Sequence, residues 1–320
     1  YIPFFLSGFE MPLCVEDTVI IYKDKNKDFV ILNMADIQLN DELDIGKREY
    51  TEQTIKRLIE EVKPDLITMT GDQVWGYTSK SESIKFLIDI IDSYKIPWAP
   101  VMGNHDSDGE SNYNWCAEKY EESKYCLFRK GLSSAKGVGN YVINIKEGNK
   151  TIHSMIMMDS GTTVKYPELD TYGYDFIGSE SQKWYEWVLQ GLKKLSNNDK
   201  IETSLFFHIP LPEFTTAYDE WTTNGKDPLI GFGENREKKN GTPLVNSNFF
   251  ELIKKLASTK NVFVGHDHIN SASIIYQDVR LTYCLKTGDR CYSNYDMNGG
   301  TVIKMNSNGE LTVQHHYIKI

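Results

Sequence analysis

The chain has 320 residues, of which 40% are hydrophobic and 25% charged, with a net charge of -10. That length and balance allow a large buried core, while the acidic excess argues against extended nucleic-acid binding, which depends on clustered cations. No apolar run approaches the ~20 residues of a membrane-spanning helix, so a soluble protein without a transmembrane anchor is expected, cytoplasmic or exported after loss of a signal peptide, since the sequence starts at Tyr1 and not at methionine.

Residues 1–28 read as an N-terminal extension, apolar but aperiodic at first and ending in the turn-like DKNKD of 24–28, with a single domain over 29–320. A strand is predicted at 29–35, a helix through Ile55, Leu58, Ile59 and Val62, and a strand at 66–70. The switch from period 2 to period 3.6 and back is that of a βαβ unit. A second helix carries Ile84, Leu87, Ile88 and Ile91, and a short strand follows at 98–102. Residues 108–139 show no clear period and read as a long excursion over the rim of a site. Strands are predicted at 141–145, 152–158, 205–207 and 262–264, with helices through Trp184, Trp187 and Val188 and through Phe250, Ile253 and Leu256. Consecutive strands at 272–276, 279–284, 301–304 and 311–317 close the chain, implying one largely parallel sheet and one richer in antiparallel pairs. No internal repeat or low-complexity linker divides the sequence.

Five short motifs put candidate ligands just after predicted strands: Asp36-Ile37-Gln38, Gly71-Asp72-Gln73, Gly103-Asn104-His105-Asp106, His208-Ile209-Pro210 and Gly265-His266-Asp267-His268. In open α/β sheets the carboxyl ends of strands are where ligands bind. Each motif alone is weak, because Gly-Asp after a strand is commonly a turn and a lone histidine is commonly structural. Together they hold four of the seven histidines. A carboxylate can bridge two cations, with imidazole and amide oxygen filling the shells, and such mixed nitrogen and oxygen donors suit Mn, Zn, Fe or Co better than Mg or Ca. Two ions about 3.5–4 Å apart can hold a phosphoryl group and activate water.

This series resembles the calcineurin-like metallophosphoesterase superfamily, and Gly265-His266-Asp267-His268 with Met158-Asp159-Ser160-Gly161 is similar to its purple-acid-phosphatase-29-like branch. The resemblance runs from about Phe29 to His268. It implies a four-layer αββα sandwich of two mixed β-sheets flanked by helices, with a dinuclear centre that hydrolyses phosphate esters by attack of a metal-bound hydroxide, a phosphomonoester being favoured over a diester. By position, Asp36 and His268 would hold a first metal, Asp72 would bridge, and Asn104, His208 and His266 would hold a second. His105 would contact the phosphate or protonate the leaving group, with Asp106 available to orient it.

Gln38 departs from the pattern, standing where most relatives have histidine; it either ligates the first metal through its oxygen or hydrogen-bonds a bound water. Trp75 stands where purple relatives carry a tyrosine ligand, so no tyrosinate-to-iron chromophore is expected. Tyr172 and Tyr174 are candidates to line a cleft, whereas His153, His315, His316, Trp184 and Trp187 read as structural. Cys116 with Cys126, or Cys284 with Cys291, would pair only in an oxidising compartment, and unpaired thiols are the plainer reading. A metal-binding interaction protein with weak or no catalysis is the alternative function. A peptidase of the H-E-x-x-H type and a serine hydrolase with a G-x-S-x-G elbow are both unsupported.

Overall fold

The computed structural model describes residues 11–42, 45–76, 81–108, 113–132, 135–237 and 241–319. Residues 1–10 of the expected extension, and 109–112 and 133–134 of the expected rim excursion, lie outside them. In chain order the first half contains β1 (Thr18–Tyr22), β2 (Phe29–Met34), α1 (Ile45–Val62), β3 (Leu66–Thr70), α2 (Ser81–Ser93), β4 (Trp98–Val101), α3 (Tyr113–Glu122), β5 (Tyr141–Glu147) and β6 (Lys150–Met157). The second half contains β7 (Thr163–Tyr166), β8 (Thr171–Tyr174), α4 (Ser179–Ser196), β9 (Thr203–Phe206), α5 (Glu213–Thr223), β10 (Gly231–Phe232), α6 (Phe249–Leu256), β11 (Thr259–Val264), β12 (Ser273–Tyr276), β13 (Val279–Tyr283), β14 (Gly299–Met305) and β15 (Leu311–Tyr317).

Two mixed sheets stack between helices. The smaller has the order β15-β14-β2-β3-β4 and the larger β1-β5-β6-β9-β11-β13-β12-β10, with β7 and β8 forming a separate hairpin. Alternation along β9 shows how the layers are specified. Leu205 and the following Phe207 join Trp184, Val188, Phe249 and Ile253 in the core under α4 and α6. Phe206 faces the other way, into the core shared with the smaller sheet, where it stacks on Phe263 of β11 at 4.8 Å. The period of 2 sends each strand's residues into two different cores. On the far side, Ile55, Leu58 and Ile59 of α1 and Ile84, Leu87 and Ile91 of α2 are buried in the core that covers the smaller sheet. The expected four-layer αββα sandwich is therefore present.

The details differ from expectation in several places, among them β7, β8, α5 and β10, for which no element was expected. The region before Phe29 supplies β1, which pairs in parallel with β5 along Thr18–Tyr22 and forms one edge of the larger sheet. The stretch read as a rim excursion contains α3, whose Cys116, Ala117 and Tyr120 are buried, with Tyr120 edge-on to Trp98 and Phe128. The C-terminal strands do not form one antiparallel sheet: β12 and β13 extend the larger sheet, while β14 and β15 complete the smaller by pairing with β2. None of the five cysteines, all of them among the described residues, is in a disulfide. No helix among the described residues is long and apolar enough to cross a membrane.

Candidate metal centre

Parallel strands from both sheets deliver the motif residues to one edge. Asp36 and Gln38 follow β2, Asp72 follows β3, Asn104 and His105 follow β4, His208 follows β9, and His266 and His268 follow β11. Each chain must turn sharply there while its backbone stays paired: Asp36 N donates to Gly71 O at 3.1 Å and Gln38 N to Asp72 O at 2.9 Å. The turns are made with left-handed residues, Asp36 at φ 50°, Gln38 at 52°, Asp72 at 54° and His266 at 78°. Non-glycine residues hold such angles at a cost, and clustering of the strain is typical of functional sites. The glycines of the motifs have a steric reason. A Cβ on Gly71 would lie 2.5 Å from His208 Nδ1, and one on Gly103 would lie 2.2 Å from Asp72 Oδ1. Only hydrogen lets the neighbouring side chains close in.

Two overlapping triads result. Asp72, His208 and His266 bring their donor atoms within 4.8 Å of one another, and so do Asp36, Asp72 and His268. Asp72 belongs to both. Its Oδ2 lies 3.3 Å from His208 Nε2, while its Oδ1 accepts the His105 N–H at 2.8 Å. Around His208 Nε2 also stand Asn104 Oδ1 at 2.9 Å and His266 Nδ1 at 3.1 Å. His208 Nδ1 donates to Thr70 O at 2.7 Å, and His268 Nδ1 to Tyr292 O at 2.9 Å, leaving Nε2 of both rings facing carboxylates. A backbone carbonyl on the far ring nitrogen is the usual way to orient a metal-binding imidazole.

The donor set fits cations. Asp36 Oδ1 is buried without a hydrogen-bond partner, with His268 Nε2 at 3.4 Å. Such an orphaned carboxylate oxygen is costly unless a cation meets it. Burial opposes charge on His208, yet the Asp72 and Asp36 carboxylates outweigh it and push the imidazole up to about 10. Burial likewise opposes ionisation of Asp72, but His208 and His105 hold it well below the usual carboxylate range. A cage of acceptors that draws a proton onto its histidine is electrostatically suited to a metal ion in its place.

The orienting partner of His105 is Asp108, not Asp106. His105 Nδ1 lies 2.5 Å from Asp108 Oδ2, and although burial lowers the affinity of the ring for a proton, Asp108 and Asp72 raise it above its ordinary value. The Asp106 carboxylate faces the opposite way. Its Oδ2 accepts from Gly103 N at 2.6 Å and Asp72 N at 2.9 Å, and its Oδ1 from Val74 N at 3.1 Å. It staples the turns that carry Asp72 and Asn104. Gln38 does not turn an oxygen towards the triads either: its Oε1 accepts from Lys286 Nζ at 2.7 Å. Tyr174 meets the His266 ring edge-on at 4.3 Å and so borders the centre, whereas Tyr172 is exposed. Ser160 Oγ accepts from Ile209 N at 2.9 Å, so the Asp159-Ser160-Gly161 stretch positions the His208 loop. Arg129 is used elsewhere, donating to Phe128 O, and Lys130 pairs with Glu118.

Sequence reading missed Lys286, Tyr292 and Asp108. A signal existed for the first two, since they follow β13, whose neighbour β11 already ends in candidate ligands. The profile of the calcineurin-like phosphoesterase family matches residues 29–270. The chain belongs to the calcineurin-like phosphoesterase family. Among its curated relatives, an Arabidopsis thaliana protein named probable inactive purple acid phosphatase 29 is 30% identical over 247 residues, 72% of this chain and 61% of the relative. The Saccharomyces cerevisiae phosphatase DCR2 is 32% identical over 237 residues, 69% of this chain and 38% of the relative. This chain therefore spans less than two thirds of the length of either. A dimetal phosphatase from Danio rerio shares the fold, with a TM-score of 0.56 at 12% identity over 90% of this chain and 96% of the other. GAP50, described as the anchor in the inner membrane complex of Plasmodium, does so with a TM-score of 0.54 at 13% identity, over 90% and 84%.

Proposed function

We propose that this chain hydrolyses phosphate esters, monoesters in preference to diesters, at a two-metal centre held by Asp36, Asp72, Asn104, His208, His266 and His268. The observation that carries the reading is the membership of Asp72 in both ligand triads. When bound, two such ions would supply Lewis acidity to the phosphoryl oxygens and ease deprotonation of water. The protein's own groups do the rest. Asp72 is held in place by the Asp106 staple, and its Oδ1 is occupied by the His105 N–H. The His105 ring, 37% exposed, stands at the mouth of the site with Nδ1 on Asp108, which leaves Nε2 to carry a proton to a departing alcohol. Arg290, two residues before Tyr292 on the loop that orients His268, has its Nε and Nη2 buried without hydrogen-bond partners. A guanidinium with unmet donors supports preference for the more highly charged monoester.

Hydrolysis of para-nitrophenyl phosphate and of bis(para-nitrophenyl) phosphate, by protein stripped of metal and reloaded with Mn, Zn, Fe or Co, tests the proposal. Turnover is expected to require metal, to favour the monoester, to vanish in Asp72→Asn, and to fall about 10²- to 10⁴-fold in His105→Ala. Normal metal-dependent turnover by Asp72→Asn would refute the assignment. The second reading, a metal-binding protein acting through interactions, is favoured by the disengaged Gln38. Two bound ions with no hydrolysis of either ester would select it.

A further inference from the structure

Gln38 and Lys286 form a unit beside one half of the centre. Lys286 is 1% exposed, and its ammonium donates to Gln38 Oε1 at 2.7 Å and to the Asp36 carbonyl at 2.8 Å. At the other end of the amide, Gln38 Nε2 makes a long contact of 3.4 Å to Asp72 Oδ2. The direction of the amide is dictated by its neighbours. An ammonium has only donors and must meet oxygen, and a carboxylate has only acceptors and must meet the NH₂ group. Lys286 is itself locked by the backbone: Ala35 and Lys286 form a β-bridge, Thr287 N donates to Ala35 O at 2.8 Å, and Gly288 packs so close to Ile37 that a Cβ would come within 2.0 Å of its carbonyl oxygen. The lysine therefore has no other place to go.

The two halves of the centre are consequently unequal. On one side stand Asp72, His208 and His266, with the Asn104 oxygen 2.9 Å from His208 Nε2. On the other, among the described His, Cys, Asp and Glu residues, stand Asp36, Asp72 and His268, with a buried ammonium hydrogen-bonded to the backbone of Asp36. Resting on the assignment of these residues as metal ligands, we propose that Lys286 weakens the Asp36–Asp72–His268 position, by holding the Gln38 oxygen out of coordination and by adding a like charge, so that the chain retains one ion tightly and binds the other reversibly. Lys286 is thus a positioning residue, and occupancy of the weaker position follows the ambient metal concentration. A catalyst built this way is switched by metal supply at constant protein level.

The test is metal content, not turnover. The 320-residue chain is dialysed against buffered Mn²⁺ over a range of free concentrations, the bound metal is counted by mass spectrometry, and the Mn²⁺ spin-resonance spectrum is recorded at each point. Wild type is expected to show one ion first, with an uncoupled spectrum, and a second at a free concentration at least about tenfold higher, with the spectrum of an exchange-coupled pair. Lys286→Met frees the Gln38 oxygen and removes the charge, so the second ion should bind at least about tenfold more tightly, and more so in Gln38→His/Lys286→Met; Lys286→Arg should stay weak. Two ions bound by wild type with equal affinity would overturn the proposal whether or not the variants fold, as would a folded Lys286→Met with an unchanged second affinity. A wild type that binds no metal would overturn the two-metal centre itself, a result distinct from both.

Discussion

The division of labour between Asp106 and Asp108 shows how much chemistry turns on the direction of a single side chain. The candidate ligands could be picked out because they follow strand ends, and three of them, Asp72, Asn104 and His266, come directly after a glycine whose Cβ would collide with neighbouring side chains. The role of Asp106 was not, because adjacency to His105 says nothing about whether a carboxylate faces the ring or folds back on the main chain. Asp106 folds back, and its two oxygens satisfy three buried N–H groups at Gly103, Asp72 and Val74. Asp106→Ala would leave all three unmet, at about 1–3 kcal/mol each if no water replaces the carboxylate. Chemical denaturation should therefore show a loss of at least about 3 kcal/mol, together with weaker metal retention. Lys286 was missed for a different reason: its place after β13 was a signal, but a lysine after a strand reads as surface until the pairing of its loop with Ala35 and its burial are known.

At the scale of elements, the strands that build the centre carry strong apolar runs and were placed to within about three residues, while those that frame it carry weak ones. In α3 only Cys116, Ala117 and Tyr120 are buried, too few positions for a helical period to stand out. In β1, Val19, Ile20 and Ile21 did offer a signal, but the polar turn after them drew the boundary of the core to the next strand. Where two elements meet matters more than either alone. The end of β3 approaches the end of β9 so closely that Gly71→Ala would press a methyl group into the His208 ring and also impose a side chain on a residue at φ 90°. The variant should stay folded, lose about 1–3 kcal/mol of stability, and release the tightly held ion, as metal counting after gel filtration would show. A Gly76→Ala variant, also at positive φ but facing the Asn40 side chain, controls for backbone strain and should keep its metal.

Across the whole molecule, the two sheets are tied by a histidine that has no part in the centre. His153 of β6 lies 2.9 Å from Ser204 Oγ on β9 and donates from Nδ1 to Gly309 O, in the turn between β14 and β15 of the other sheet. Burial keeps this ring neutral and lowers it to about 4, the Gly309 hydrogen bond opposing only in part. In the unfolded chain it takes up a proton near pH 6.5. Between those values the unfolded state binds more protons, so stability falls as pH drops through the window and the loss is complete below it. Urea titrations at pH 7 and pH 5 should differ by about 2 kcal/mol from this group, and His153→Gln should remove that part of the difference. The order of the smaller sheet carries a further consequence for the newborn chain. When His268 is added to the growing chain every proposed ligand exists, yet β2 still lacks β14, and neither Lys286 nor Tyr292 has been made. The pocket closes by pairing across some 270 residues of separation, a slow, late event in a growing chain. Metal acquired during synthesis would meet loose ligands, so loading with the right ion belongs to the finished protein.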